Sequence, residues 1–112
     1  MPIKCDEYDQ VCVMAITGDF VGDEIAAARR CVEKAIGEDH VVDIVLDVEK
    51  VPFIDSEGLE TLLWIKRRVE DVFGQIKLIR PDDNFRKILE MTRLDHSIES
   101  HDDLESAVKT LR

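Results

Sequence analysis

Little in these 112 residues could cross-link the chain, anchor it in a membrane or leave it flexible. Cys5, Cys12 and Cys31 are odd in number and widely spaced, with no C-x-x-C pair, which argues against both a disulfide framework and a zinc motif. They suit small core positions in a reduced compartment. Five glycines and three prolines are too few and too scattered for a linker or a low-complexity segment. The longest uninterrupted apolar run, Val11 to Ile16, falls far short of the ~20 residues that a membrane-spanning helix needs. Met1-Pro2-Ile3-Lys4 lacks the basic-then-apolar pattern of a secretory signal, so a cytoplasmic protein is expected.

Basic charge is scarce as well. Lys and Arg total 15 against 25 Asp and Glu, leaving a net charge of −10, which argues against a protein that tracks nucleic-acid phosphates. An acidic surface suits a basic protein partner, and equally suits solubility alone. Catalytic apparatus is missing too. His40, His96 and His101 fall in predicted turns without metal-ligand spacing, and there is neither a Gly-rich phosphate loop nor a G-x-S-x-G elbow around Ser56. No enzyme activity, metal or cofactor is therefore expected.

What the chain does have is enough apolar material, 45% of its residues, for one domain over 1–112 that buries about two-thirds of its unfolded surface. Its patterning predicts the order β-β-α-β-α-β-α-β-α, an α/β fold with a mixed sheet and about four helices. Ile3–Tyr8 and Val11–Thr17 read as an antiparallel hairpin turning at Asp9-Gln10. Asp23 is placed to cap a helix with Ile25, Ala28, Val32, Ala35 and Ile36 on one stripe and Gly37 at its end. Val41–Val48 reads as a central strand, with Val42, Ile44, Leu46 and Val48 on one face and Val41 and Val45 on the other. A further strand over Gln75–Arg80 is stopped by Pro81, and the next helix carries Phe85, Ile88 and Leu89 inward. After a turn and an extended stretch near Ile98, Asp102 with Glu105 forms a capping box for a last helix with Leu104, Ala107, Val108 and Leu111 on its stripe.

The centre of the sequence is the long helix from Glu57 to about Phe73, opened by Asp55-Ser56. A wheel at about 100° per residue puts Gly58, Leu59, Leu62, Leu63, Ile65, Val69, Val72 and Phe73 on the inner half. Trp64 falls on the outer half with Glu57 and Glu60. There it would serve as an anchor for a partner, unless a second packed side of the helix buries it. Asp55 or Ser56 can serve as an N-cap, and a phosphate on Ser56 would meet a helix end that favours negative charge. Composition and spacing leave both roles open.

Val51-Pro52-Phe53-Ile54-Asp55-Ser56-Glu57-Gly58-Leu59, after a strand ending Leu46-Asp47, resembles the signature of STAS domains and of the bacterial anti-sigma factor antagonists among them. Ile88 to Asp95 and Asp103 to Ala107 resemble the C-terminal pattern of the same family. The resemblance implies a phosphorylation-switched binding module with Ser56 as phosphoacceptor beside Asp55. It also implies a GHKL-type anti-sigma factor/serine kinase that binds the unphosphorylated form, and a PP2C-type serine phosphatase. The docking surface would include Asp55, Ser56, Glu57, Gly58 and Trp64, and a homodimer is compatible with it. Glu57 stands where the family often has a small or hydroxylated residue, Val21 and Gly22 depart from the pattern after Gly18-Asp19, and Arg93 replaces a common glycine. Other STAS domains act as constitutive adaptors in stress-signalling or lipid-transport complexes. A response-regulator receiver using Asp47 would need an early acidic pair and a late lysine. The opening hairpin and Leu78-Ile79-Arg80-Pro81 do not supply them.

Overall fold

A computed structural model describes residues 3–111. Five strands form one sheet in the order β1-β2-β3-β4-β5: β1 (Ile3–Tyr8), β2 (Val11–Thr17), β3 (Asp43–Lys50), β4 (Ile76–Ile79) and β5 (Glu99–His101). The two-residue turn makes β1 and β2 antiparallel, as expected, and every later pair is parallel. Parallel neighbours need crossovers, and helices supply them: α1 (Asp23–Gly37), α2 (Ser56–Glu70) and α3 (Asp83–Met91), with α4 (Leu104–Lys109) closing the chain. The element order and the central place of β3 agree with the sequence reading.

The period-2 alternation of the strands divides the interior in two. Met14, Ile44, Leu46, Val48 and Leu78 face a large core closed by Ile25, Ala28 and Val32 of α1, Leu62, Ile65 and Val69 of α2, and Phe85 and Leu89 of α3. Val45 and Ile79 point to the other side, where Ala107 of α4 covers them. A six-residue helix covers only part of that face, so Val11 and Val13 stay half-buried.

Several boundaries differ from the sequence reading, each for a local reason. Asp23 is the first helical residue of α1 and not its cap, because Gly22, at φ +53, turns the chain into the helix. Val41 and Val42 lie before β3, hydrogen-bonded to Ala35 O and Gln10 O, so their side chains do not follow the strand alternation and Val41 joins the large core. Phe73 is 98% exposed, not inward, because the helix ends at Glu70 and Phe73 takes the left-handed conformation. Asp103 and not Asp102 caps α4, accepting from Ser106 N–H at 2.8 Å. Cys5 is exposed and Cys31 half-buried, leaving Cys12 alone of the three as a core cysteine.

Lys77 was legible only as a residue alternating within a strand, yet it is 5% exposed. Its ammonium meets Glu99 at 3.1 Å, and Glu99 also meets His101 Nε2 at 2.6 Å. Lys77 first, and His101 after it, hold the Glu99 carboxyl below the usual carboxylate range. Stability from this contact is fully present above the ordinary carboxylate pKa and is lost as pH falls through the lowered value. Glu99 is more than half exposed, so solvent screens the pair, and glutamine keeps an acceptor oxygen for Lys77; Glu99→Gln should therefore destabilise by no more than about 1 kcal/mol at neutral pH. The variant should also show a flatter acid limb when Tm is followed against pH.

Candidate functional site

The site is built where two loops leave the C-terminal ends of parallel neighbours β2 and β3. The chain from β2 runs 18–22 into α1, and the chain from β3 runs 51–55 into α2. The two loops are laced together: Gly18 N–H donates to Lys50 O and Phe20 N–H to Phe53 O, each at 2.9 Å, and Phe20 bridges to Ile54. Phe20 and Ile54 are buried beneath them, and the Asn84 amide donates to Pro52 O at 3.0 Å. A rigid floor therefore carries the start of α2.

The structure decides which residue caps that helix. Asp55 has extended backbone, and its Oδ1 accepts from Gly58 N–H at 2.8 Å, which satisfies one donor the first turn leaves free. Ser56 is the first helical residue and is exposed, as is Glu57. Asp55→Ala should therefore cost about 1 kcal/mol in urea denaturation. Ser56→Ala should stay within about 0.5 kcal/mol, as exposed substitutions away from caps do.

Gly58 has a steric reason. A Cβ there would stand 2.6 Å from Ile54 Cγ1 and 2.7 Å from the Phe20 carbonyl, so only glycine lets α2 settle onto the two loops. Its place sets the height of Ser56 above the floor. One turn on, the buried Thr61 hydroxyl donates to Glu57 O at 2.9 Å and accepts from the Arg29 guanidinium at 3.2 Å. That guanidinium also lies over the Trp64 ring, 4.9 Å from its centre. Trp64, expected on the outer half of the helix, is thus half-buried in the seam between α1 and α2. Of the two outcomes the wheel left open, burial is the one found, because α2 packs on α1 as well as on the sheet. It lies eight residues, about 12 Å, along the helix from Ser56.

Of the residues named from sequence, Asp55, Ser56, Glu57 and Gly58 come together on the first turn of α2, and Trp64 stands two turns away. Phe53 was missed as a candidate. It is 48% exposed beside Asp55, and the signal available was an aromatic outside every amphipathic stripe. Asp47 behaves as a structural carboxylate: it accepts from Glu49 N–H at 3.1 Å and pairs with Arg80 at 3.3 Å.

A family model for the STAS domain matches residues 2–107. The chain belongs to the STAS domain family. An anti-sigma F factor antagonist from Lysinibacillus sphaericus is 27% identical over 82 residues, spanning 73% of this chain and 70% of that protein. Among solved structures, a Thermotoga maritima protein superposes with a TM-score of 0.89 at 19% identity, over 98% of this chain and 94% of that one. The anti-sigma factor antagonist SpoIIAA in its unphosphorylated form gives 0.77 at 21% identity, covering 96% of this STAS chain and 94% of its own. SpoIIAA as the Bacillus cell fate determinant in its phosphorylated form gives 0.76 at 22% identity, covering 98% and 99%. At these identities the superpositions establish the STAS fold, and among the described residues no helix is long and apolar enough to cross a membrane.

Proposed function

We propose that this STAS domain is an anti-sigma factor antagonist, a protein-binding switch that holds an anti-sigma factor while Ser56 is unphosphorylated and releases it when Ser56 carries a phosphate. The observation that carries the reading is the division of labour at the start of α2. Asp55 does the capping, so the neighbouring serine is exposed on a rigid turn and is not needed to hold the helix. A kinase can reach such a hydroxyl without unfolding anything. The anti-sigma F factor antagonist among its relatives and the existence of SpoIIAA in both phosphorylation states support the same role.

The docking surface comprises Asp55, Ser56 and Glu57, set on the floor by Gly58, which is itself buried, with Phe53 beside them and the exposed edge of Trp64 along the helix. Its acidic character fits a basic patch on the partner, a GHKL-type serine kinase that is itself the anti-sigma factor. A PP2C-type phosphatase would reset the serine. The role is that of a binding protein in the cytoplasm, without catalysis of its own.

Intact-mass measurement after incubation with ATP and the partner kinase tests the proposal, with Ser56→Ala in parallel. A gain of one phosphate on the wild type and none on the variant is expected. If a kinase that binds the domain leaves both unmodified, the switch is wrong and a constitutive adaptor remains.

A further inference from the structure

The outer edge of β1 carries a self-complementary charge pattern, and we infer that two copies of this domain join there into one continuous antiparallel sheet. β1 ends the sheet, with β2 on one side and no strand among the described residues on the other. In a hairpin with a two-residue turn, Tyr8 and Val11 exchange both of their backbone hydrogen bonds, and the pattern alternates from there. Lys4, Asp6 and Tyr8 therefore bond to β2, while Ile3, Cys5 and Glu7 direct their N–H and C=O groups outward. Unpaired edge groups of this kind are a template for another strand.

Geometry restricts how a second β1 can add. A two-fold axis perpendicular to the sheet keeps the α1 side of one copy continuous with the α1 side of the other, so a residue can face only residues of its own alternation class. Three central registers remain. Centring on Lys4 puts two ammonium groups opposite each other, and centring on Asp6 does the same with two carboxylates. Centring on Cys5 places Lys4 opposite Asp6 twice, by symmetry. Both residues are exposed and lie on the face away from α1, in the non-hydrogen-bonded position where side chains approach most closely. Ile3 then faces Glu7, and Cys5 faces its own copy. The same charges that repel an unrelated strand thus admit this chain in one register. The Asp55–Gly58 turn takes no part, so the inference stands whether or not Ser56 is a switch.

Sedimentation equilibrium of the full chain under reducing conditions tests it, with Lys4→Glu, Asp6→Lys and the double variant. The wild type should dimerise in a concentration-dependent way. Each single reversal should raise the dimer Kd at least about tenfold, since two attractive pairs become repulsive, and the double variant should return it to near the wild-type value. Mixing the two single variants should restore association between unlike chains. The carboxylate introduced at position 4 of one chain then meets the ammonium introduced at position 6 of the other, and the second pair keeps its native Asp6 and Lys4. Unchanged far-UV circular dichroism will show that every variant folds. A wild type that stays monomeric to about 1 mM, at the weak limit of measurable association, would overturn the inference. So would a dimer indifferent to the reversals, or reversals that neither the double variant nor mixing repairs.

Discussion

Gly74→Ala should lower Tm by at least about 10 °C, the largest stability effect expected of any single methyl added to this chain. A Cβ at residue 74 would stand 1.6 Å from the Val42 carbonyl oxygen and 2.5 Å from its carbon. No side chain can swing aside to relieve that contact, because the atoms it meets are backbone. Val42 N–H is bonded to Gln10 O and Gly74 N–H to Val69 O, so moving either segment breaks the entry to β3 or the end of α2. Overpacking that forces backbone to shift costs about 1–3 kcal/mol or more, and about 3 kcal/mol is a sizeable part of a typical stability of about 5–15. A control lies one residue away. Phe73 holds φ +64 with its ring 98% exposed, so Phe73→Gly removes left-handed strain without removing packing. That variant should be stabilised by up to about 1 kcal/mol, less what glycine adds to the entropy of the unfolded chain. Thermal denaturation of the pair should therefore move in opposite directions. A Gly74→Ala protein as stable as the wild type would show that the β3 entry yields far more easily than its hydrogen bonds imply.

The same turn shows where sequence reading succeeds and where it stops. Long periodic segments were legible because burial acts on every turn: the stripe Ile25, Ala28, Val32, Ala35, Ile36 is the set buried in α1. The hairpin was legible because two residues leave the chain no other way to turn. Phe73, Asp23 and Asp102 were misplaced because one backbone dihedral or one cap hydrogen bond decides them, and neither leaves a periodic trace. Trp64 stayed open and Lys77 gave no sign of burial for another reason: their burial depends on which second element arrives, α1 for one and β5 for the other. At the site, the glycine of Asp-Ser-x-Gly-Leu was recognisable as pattern, while its cause, the Phe20 carbonyl from a distant loop, was not. The exposed serine beside a capping aspartate was also undecidable from residue types, since both are good caps. Only the Asp55–Gly58 hydrogen bond assigns them different work.

Phosphorylation of Ser56 is expected to weaken binding to the anti-sigma factor about 100-fold while leaving the fold intact. The phosphate adds about −1.5 to −2 charges to a turn that already carries Asp55 and Glu57. Alone, it sits well: the first turn of α2 offers free N–H groups and the positive end of the helix dipole, worth about 0.3–1 kcal/mol. Repulsion from the two flanking carboxylates offsets that gain, so Tm should change by no more than about 4 °C, the shift that about 1 kcal/mol gives. Docked against a partner, the balance differs. Water that screened the added charge is removed, and a surface fitted to a neutral hydroxyl must accept a bulky dianion. Like charge or lost solvation at an interface costs several kcal/mol, and about 2.7 kcal/mol is the 100-fold change. Ser56→Asp should lose less, because it brings one charge and a shorter reach. Both losses should shrink as salt is raised, the phosphate's more steeply. Calorimetric titration of the three proteins into the partner at two ionic strengths measures all of this. Equal affinity for the phosphorylated and unphosphorylated forms would remove the switch. A loss accompanied by a large fall in Tm would place the effect in the helix instead of the interface, contrary to the geometry in which Asp55 alone carries the cap.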